Sequence, residues 1–342
     1  MKKLFLFLIS LFVGIGIFLW IGKTVGWQEI KSALLIFTGF HGIVIFIFTF
    51  LIMMLGAWRW QEILIAQNVR VSFFDFFKSF LAGFSVMFLA PVLLWAGEVF
   101  RGYILRRKNK VSWTQVMTSV FIDRVLEWTV NLIVIVLGSL YFLYKIGLPS
   151  RNLLIIFGTV FSVFFLAISY FYFKVLKRES IIHFLFKISG FKNSKKDNAL
   201  FETEKQIFDF FRWENKKLQK TLTISFLRAG AMLLRAWVLI IFLGKNIGLL
   251  SSLSILGFTY LASMIPIPTS LGSHEAIQSF AFSSLGLNVS TATVFTMIIR
   301  AAELLFALAG LVIVLKTGVV FIKNLFFKKI EKLENVINRD SF

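Results

Sequence analysis

Long runs of apolar residues limit this chain to one class of fold. Six stretches are long and apolar enough to cross a bilayer: residues 4–22, 40–58, 120–143, 153–173, 221–243 and 290–315. A helix needs about 20 such residues to span roughly 30 Å of hydrocarbon. Hydrophobic residues make up 58% of the 342, which is too many for a surface that faces water. The sequence therefore predicts an all-α integral membrane protein with about six full transmembrane helices.

Two further apolar segments, residues 73–107 and 249–286, are interrupted near their middle by proline, glycine and a carboxylate. Proline removes a backbone donor, and irregular backbone at membrane depth is tolerated only where protein or water covers it. We expect each segment to form a re-entrant helical hairpin. The expected breaks are at Pro91 and Gly97 in the first hairpin, and at Pro266 and Pro268 in the second.

The polar residues of the two halves recur at matching spacings. In each half a proline precedes a glutamate by seven residues, and an Arg-x-x-Glu pair begins 26 or 25 residues later. The matched positions are Pro91, Glu98, Arg124 and Glu127 in the first half, and Pro268, Glu275, Arg300 and Glu303 in the second. Repeats of opposite orientation with broken helices are typical of secondary transporters. We therefore expect an inverted internal repeat, with copies at about 40–173 and 221–316.

Basic residues in the connections predict the orientation, because cytoplasmic loops carry an excess of Lys and Arg. In the first half the residues assigned to the cytoplasmic side are Lys2, Lys3, Arg59, Arg70, Arg101, Arg106, Arg107, Lys108 and Lys110. We expect a single multi-pass domain over 1–342 in the cell membrane, with both termini in the cytoplasm. A short basic tail covers 317–342.

The insert at 174–220 holds twelve basic and six acidic residues. Its apolar positions, including Ile207, Phe210 and Phe211, alternate with basic ones. This pattern fits either an amphipathic helix lying on the anionic inner leaflet or a solvated connector.

The Arg-x-x-Glu pairs are the first candidates for a functional site. A charge at the centre of a spanning helix costs about 2.5–3.5 kcal/mol, so such residues usually face a bundle interior or a wet cavity. At this spacing the two side chains share a helix face and can form a local salt bridge. The pairs would then serve either to bind substrate or to lock helices together. Asp123 and Asn131 add more polarity to the first copy than a lock requires.

The second hairpin adds a candidate anion site. Small and polar residues precede a helix that begins near Glu275, and its free amides and positive dipole would favour an anion such as a phosphate. The full set of candidate substrate-binding residues is Glu98, Arg101, Arg124, Glu127, Ser270, Gly272, Glu275, Arg300 and Glu303.

Several classes of function are disfavoured. The chain has no cysteine, which excludes thiolate catalysis and cysteine-ligated metals. It shows no metal-ligand spacing, so we expect no metal and no cofactor. The formal charge of +20 is distributed between apolar spans and indicates membrane orientation, not a nucleic-acid partner.

At these residues the sequence resembles the lysylphosphatidylglycerol synthase transmembrane region, or flippase-like domain, family. The resemblance is carried by Trp58-Arg59-Trp60, Pro91, Gly97-Glu98 with the following RGYILRRK, Asp123-Arg124, Glu127, Pro266 to Glu275, Gly286, Arg300 and Glu303. It implies a multi-spanning domain that moves a phospholipid or lipid-linked head group between leaflets, with an anionic phospholipid or a polyprenyl phosphate lipid as partner. In bifunctional members a separate C-terminal domain transfers lysine. We find no such domain in this sequence and expect no enzyme activity.

Two alternatives remain open from the residues themselves. The chain is either a lipid-binding scaffold or partner, or a membrane enzyme that acts on a lipid phosphate with Glu98 or Glu275 as general base. The oligomeric state is not predicted.

Overall fold

The computed structural model describes residues 39–89, 96–109, 111–148, 150–183, 198–212, 214–264 and 273–337, with the side chains of all of these except 198, 273–276 and 318–337. Its elements are α1 (Gly39–Ile65), α2 (Phe73–Leu89), α3 (Ala96–Asn109), α4 (Trp113–Ile146), α5 (Arg151–Lys177), α6 (Asn198–Phe210), α7 (Lys216–Phe242), α8 (Leu249–Met264), α9 (Ser273–Ser284) and α10 (Val289–Ile337). No strand occurs within these ranges. The predicted all-α membrane fold is confirmed.

Within the described ranges, five helices are long and apolar enough to cross a membrane. They are α1, α4, α5, α7 and the Val289–Thr317 part of α10, with lengths of 27, 34, 27, 27 and 29 residues. These five coincide with five of the six predicted spans. The sixth, residues 4–22, lies outside the described residues.

The two interrupted segments each contain a pair of packed helices. α2 packs against α3, and α8 packs against α9. The first pair is in backbone contact, since a Cβ added at Gly97 would lie 2.4 Å from the carbonyl oxygen of Gly83. Pro91, Pro266 and Pro268 lie outside the described residues, so the breaks themselves are not seen.

The order of helices recurs along the chain. α1 to α4 begin at residues 39, 73, 96 and 113, and α7 to α10 begin at 216, 249, 273 and 289, so each helix starts 176 or 177 residues after its counterpart. The packing also crosses between the halves, because α1 contacts α7, α2 contacts α10 and α8 contacts α4. Each short helix pair therefore lies against the long helix of the other half.

The apolar residues at the end of α6, within the insert, are covered by protein. Ile207, Phe210 and Phe211, at the end of α6, are buried in one apolar cluster with Ile63 of α1 and Phe171 of α5. The apolar side chains expected on a lipid surface or in a solvated connector are therefore docked on the helix bundle. The aromatic contacts explain this difference, because the ring of Phe211 packs edge-on against that of Phe171 at 5.2 Å.

Candidate functional site

Among the side chains that the structure describes, seven charged ones meet inside the bundle, and we refer to them as the central charge cluster. They come from four helices: Arg59 of α1, Glu98 and Arg101 of α3, Asp123, Arg124 and Glu127 of α4, and Arg228 of α7. α4 supplies three of them, and its start is fixed by a capping box between Ser112 and Gln115. Placement of α4 therefore positions the middle of the cluster.

Asp123 is the most deeply buried member, with a relative exposure of 0%. Its two carboxylate oxygens accept from two arginines, Arg59 Nε at 2.7 Å and Arg101 Nη2 at 2.6 Å. The Arg101 guanidinium also lies over the ring of Trp60, 4.6 Å from its centroid. Asp123 thus joins α1, α3 and α4 through charge-assisted hydrogen bonds, which are short and strong.

Glu127 is the centre of a second set of contacts. Its Oε2 lies 2.8 Å from Arg124 Nη1 and its Oε1 lies 2.9 Å from Arg228 Nη1. Arg124 also reaches Glu98 Oε1 at 3.0 Å. The first Arg-x-x-Glu pair therefore forms the predicted local salt bridge and in addition connects to α3 and α7.

The central charge cluster holds four arginines and three carboxylates. By formal charge these seven side chains therefore carry one excess positive charge. The Nε atoms of Arg101, Arg124 and Arg228 are buried and have no hydrogen-bond partner among the described residues. The cluster therefore has both charge and donors left for an anion.

A small cavity opens beside the cluster, between α1, α4, α7 and α8. Its polar lining consists of Arg59, Glu127, Asn131, Ser225, Arg228 and Tyr260, and Met232 forms part of its apolar wall. Arg59 Nη1 lies 3.5 Å from the Ser225 hydroxyl across this space. An open groove along α5, around Gly158 and Ser162, is lined by no charged side chain. The cavity is therefore the candidate site.

Glu303, of the second Arg-x-x-Glu pair, has a different partner. Glu303 Oε1 accepts from Arg235 Nη2 at 3.1 Å, and Arg235 Nη1 donates to the Thr49 hydroxyl at 3.2 Å. We call Arg235, Glu303 and Thr49 the Arg235 site. Arg300 lies one turn before Glu303 on α10.

The structure brings together four of the nine predicted site residues: Glu98, Arg101, Arg124 and Glu127. Glu303 instead pairs with Arg235, and Arg300 lies on the same helix, α10. Ser270 and Gly272 lie outside the described residues, and Glu275 lies on α9 with its side chain outside them.

Two residues assigned to the cytoplasmic surface are in fact buried. Arg59 has a relative exposure of 2% and Arg101 one of 3%. The count of basic residues in the connections includes both, whereas their guanidinium groups are held inside by Asp123. Arg70, Arg106, Arg107 and Lys108 still support the same orientation.

Arg228 and Arg235 were not predicted. They stand seven residues apart inside the apolar stretch 221–243, where they share one helix face. Two arginines on one face of a spanning helix could have identified them as candidate site residues, since such residues are rare in membranes and usually functional.

Comparison with known proteins gives one family. The sequence profile described as "Lysylphosphatidylglycerol synthase TM region" matches residues 7–310. A UPF0104 membrane protein of Pyrococcus horikoshii, PH1989, is 28% identical over 263 residues, covering 72% of this chain and 78% of that protein. No solved structure matches the chain.

Proposed function

The chain belongs to the lysylphosphatidylglycerol synthase TM region family, and on that premise we propose that it moves a phospholipid or lipid-linked head group across the membrane. The observation that carries the proposal is the excess positive charge of the central charge cluster beside a polar cavity. The cavity has a volume of about 20 Å³, which is room for about one water, so a lipid phosphate would bind there when the helices move apart. Arg228 and Arg59 would supply positive charge. The hydroxyl groups of Ser225 and Tyr260, which donate to Thr221 O and to the Met232 sulfur, would turn to the phosphate.

The energetic cost of placing charged side chains inside a membrane supports this assignment. Each intramembrane charge is expensive to insert, so a cluster of seven is retained only where it has partners or a use. Charges that only hold helices together can neutralise one another, whereas the described cluster has one more arginine than carboxylates and so has positive charge left for an anion.

The crossed packing of the two halves suits alternating access. With the orientation inferred from basic residues, the end of α7 that carries Lys217 faces the cytoplasm, and the two short helix pairs are hairpins that enter from opposite sides. In this arrangement a lipid would enter from the cytoplasmic end, past the ion pairs of Lys217 and Lys220 with Glu62 at 3.0 and 2.7 Å. Movement of the halves against each other would expose the site to the other side.

Replacing Arg228 by Gln is expected to slow lipid exchange by about tenfold to a hundredfold. A hydrogen bond to a charged group contributes about 1.5–3 kcal/mol, and each 1.4 kcal/mol corresponds to about a factor of ten. The bundle should still fold, because Arg59, Arg101 and Arg124 then balance three carboxylates. The measurement is leaflet exchange of fluorescent phosphatidylglycerol, phosphatidylcholine and a polyprenyl phosphate in proteoliposomes.

The matched control is Arg212→Gln, which removes the same charge from an exposed pair with Asp209. It should leave exchange within about twofold, since exposed ion pairs contribute little. Uptake of inorganic phosphate into the same vesicles, which we do not expect, would indicate a free anion as substrate. Lipid binding that depends on Arg228 without exchange would favour a scaffold, and release of a lipid head group would favour an enzyme.

A further inference from the structure

One face of α7 carries polar residues along most of its length. Thr221, Ser225, Arg228 and Arg235 stand at intervals of four, three and seven residues, with Met232 between the two arginines. Positions spaced by three and four lie on one side of a helix. α7 packs directly on α1, which carries Glu62, Arg59 and Thr49 along its own length. The seam between these two helices is therefore polar at several depths.

The Arg235 site is the farthest of these positions from Lys217. At a rise of about 1.5 Å per residue, Arg235 lies roughly 10 Å beyond Arg228 along α7. Its side chain is buried, with 5% relative exposure, and its Nε has no hydrogen-bond partner in the part of the chain that the structure describes. Glu303 satisfies one terminal nitrogen and Thr49 the other. A buried guanidinium thus keeps a donor for a further ligand.

An apolar layer separates the Arg235 site from the central charge cluster. Met232 stands four residues after Arg228 and three before Arg235, and its sulfur accepts from the Tyr260 hydroxyl at 3.0 Å. Met232 also packs against a buried cluster that includes Ile52, Leu55 and Ala231. Met232 and Tyr260 both line the cavity. The pair therefore closes the cavity on the side that faces Arg235.

We propose that the Arg235 site is a second station for the lipid phosphate, and that the Met232–Tyr260 contact is the gate between the two stations. This proposal rests on the proposed function and adds the path that the lipid phosphate takes through the protein. An anion crosses a membrane protein fastest when it passes between several sites of moderate strength, each easy to leave. Methionine suits a gate, because its unbranched side chain changes rotamer easily.

The gate is tested by measuring how fast a thiol reagent reaches the Arg235 site, an experiment that does not depend on lipid transport. The chain has no cysteine, so Thr49→Cys places a single thiol at the Arg235 site. An anionic, membrane-impermeant thiol reagent is added from the side of Lys217. We expect slow labelling with Met232 in place and labelling at least about tenfold faster in Met232→Ala, because removing the side chain opens the layer. Met232→Leu, which conserves volume, should label as slowly as the parent. Equal rates in all three proteins would overturn the gate.

The second station is tested by lipid exchange. Arg235→Gln should slow exchange about tenfold or more, while binding of fluorescent phosphatidylglycerol to the purified protein stays within about twofold, because the cavity at Arg228 is intact. Arg212→Gln again serves as the control. Exchange that falls with Arg228→Gln and survives Arg235→Gln would overturn the second station and leave translocation standing. Absence of exchange in the unaltered protein would overturn translocation and with it the second station, and the labelling rates would then decide the gate alone.

Discussion

Replacing Asp123 by Asn is expected to lower the free energy of unfolding by about 3–5 kcal/mol, because removing one partner of a buried ion pair leaves uncompensated charge. Here the loss leaves two buried arginines, Arg59 and Arg101, without the carboxylate that both contact. An amide supplies only one acceptor oxygen and no charge. The measurement is the midpoint of thermal unfolding of the purified protein in detergent. Unfolding is followed by the fraction that remains monodisperse on size-exclusion chromatography.

The matched control is Asp209→Asn. Asp209 pairs with Arg212 at 2.6 Å, but about half of each side chain is exposed, with relative exposures of 46% and 51%. That pair should contribute at most about 1 kcal/mol. The double variant Asp123→Asn with Arg101→Gln should recover part of the loss, since it removes one unpaired guanidinium. Equal losses for Asp123→Asn and Asp209→Asn would refute the assignment of Asp123 as the internal counter-ion.

Replacing Gly97 by Ala is expected to destabilise the first helix pair by about 1–3 kcal/mol or more, the range for overpacking. The added methyl group would lie 2.4 Å from the carbonyl oxygen of Gly83 and 2.9 Å from Cβ of Met87. The oxygen belongs to the backbone, so it moves only if α2 and α3 separate. The readout is again the thermal midpoint in detergent.

Two further variants make this prediction specific. Gly83→Ala should be similarly harmful, because its methyl group would lie 2.5 Å from the Gly97 carbonyl oxygen. The double variant should cost less than the sum of the two, since residues in contact are not additive. Gly158→Ala on α5 meets no atom within 4 Å, and it should stabilise the helix by about 0.5–1 kcal/mol. A loss at Gly158 equal to that at Gly97 would contradict the close packing of α2 on α3.

Local patterns predicted much of the fold. The lengths of the apolar runs located five spans to within a few residues at most boundaries, although α4 begins at Trp113, earlier than the predicted 120, because its first turns are polar and capped by Ser112. The interruption of two segments predicted two helix pairs. The environment of the insert was not predicted, because an apolar helix face of this kind can lie on lipid, in a solvated connector or against a protein surface.

The candidate site was predicted only in part, and the reason lies in sequence separation. Arg124 and Glu127 are three residues apart, and helix geometry alone brings them together. Arg59 and Asp123 are 64 residues apart, and Arg228 and Glu127 are 101 apart. No local periodicity relates such positions. The repeat predicted equivalent roles for Arg124 and Arg300, but the packing of α7 places Arg228 in the cluster.

The sequence by itself determined that this chain is a helical membrane protein, where most of its helices lie, and that intramembrane charges recur in two halves, because these features depend on the length and composition of contiguous segments. The tertiary structure decided which charges meet. The contact of α1 with α7 and of α4 with both places Arg59 and Asp123 in one pair, leaves Arg228 beside a cavity, and sets Arg235 beyond Met232. Such pairings follow from how distant helices pack, which no single segment specifies.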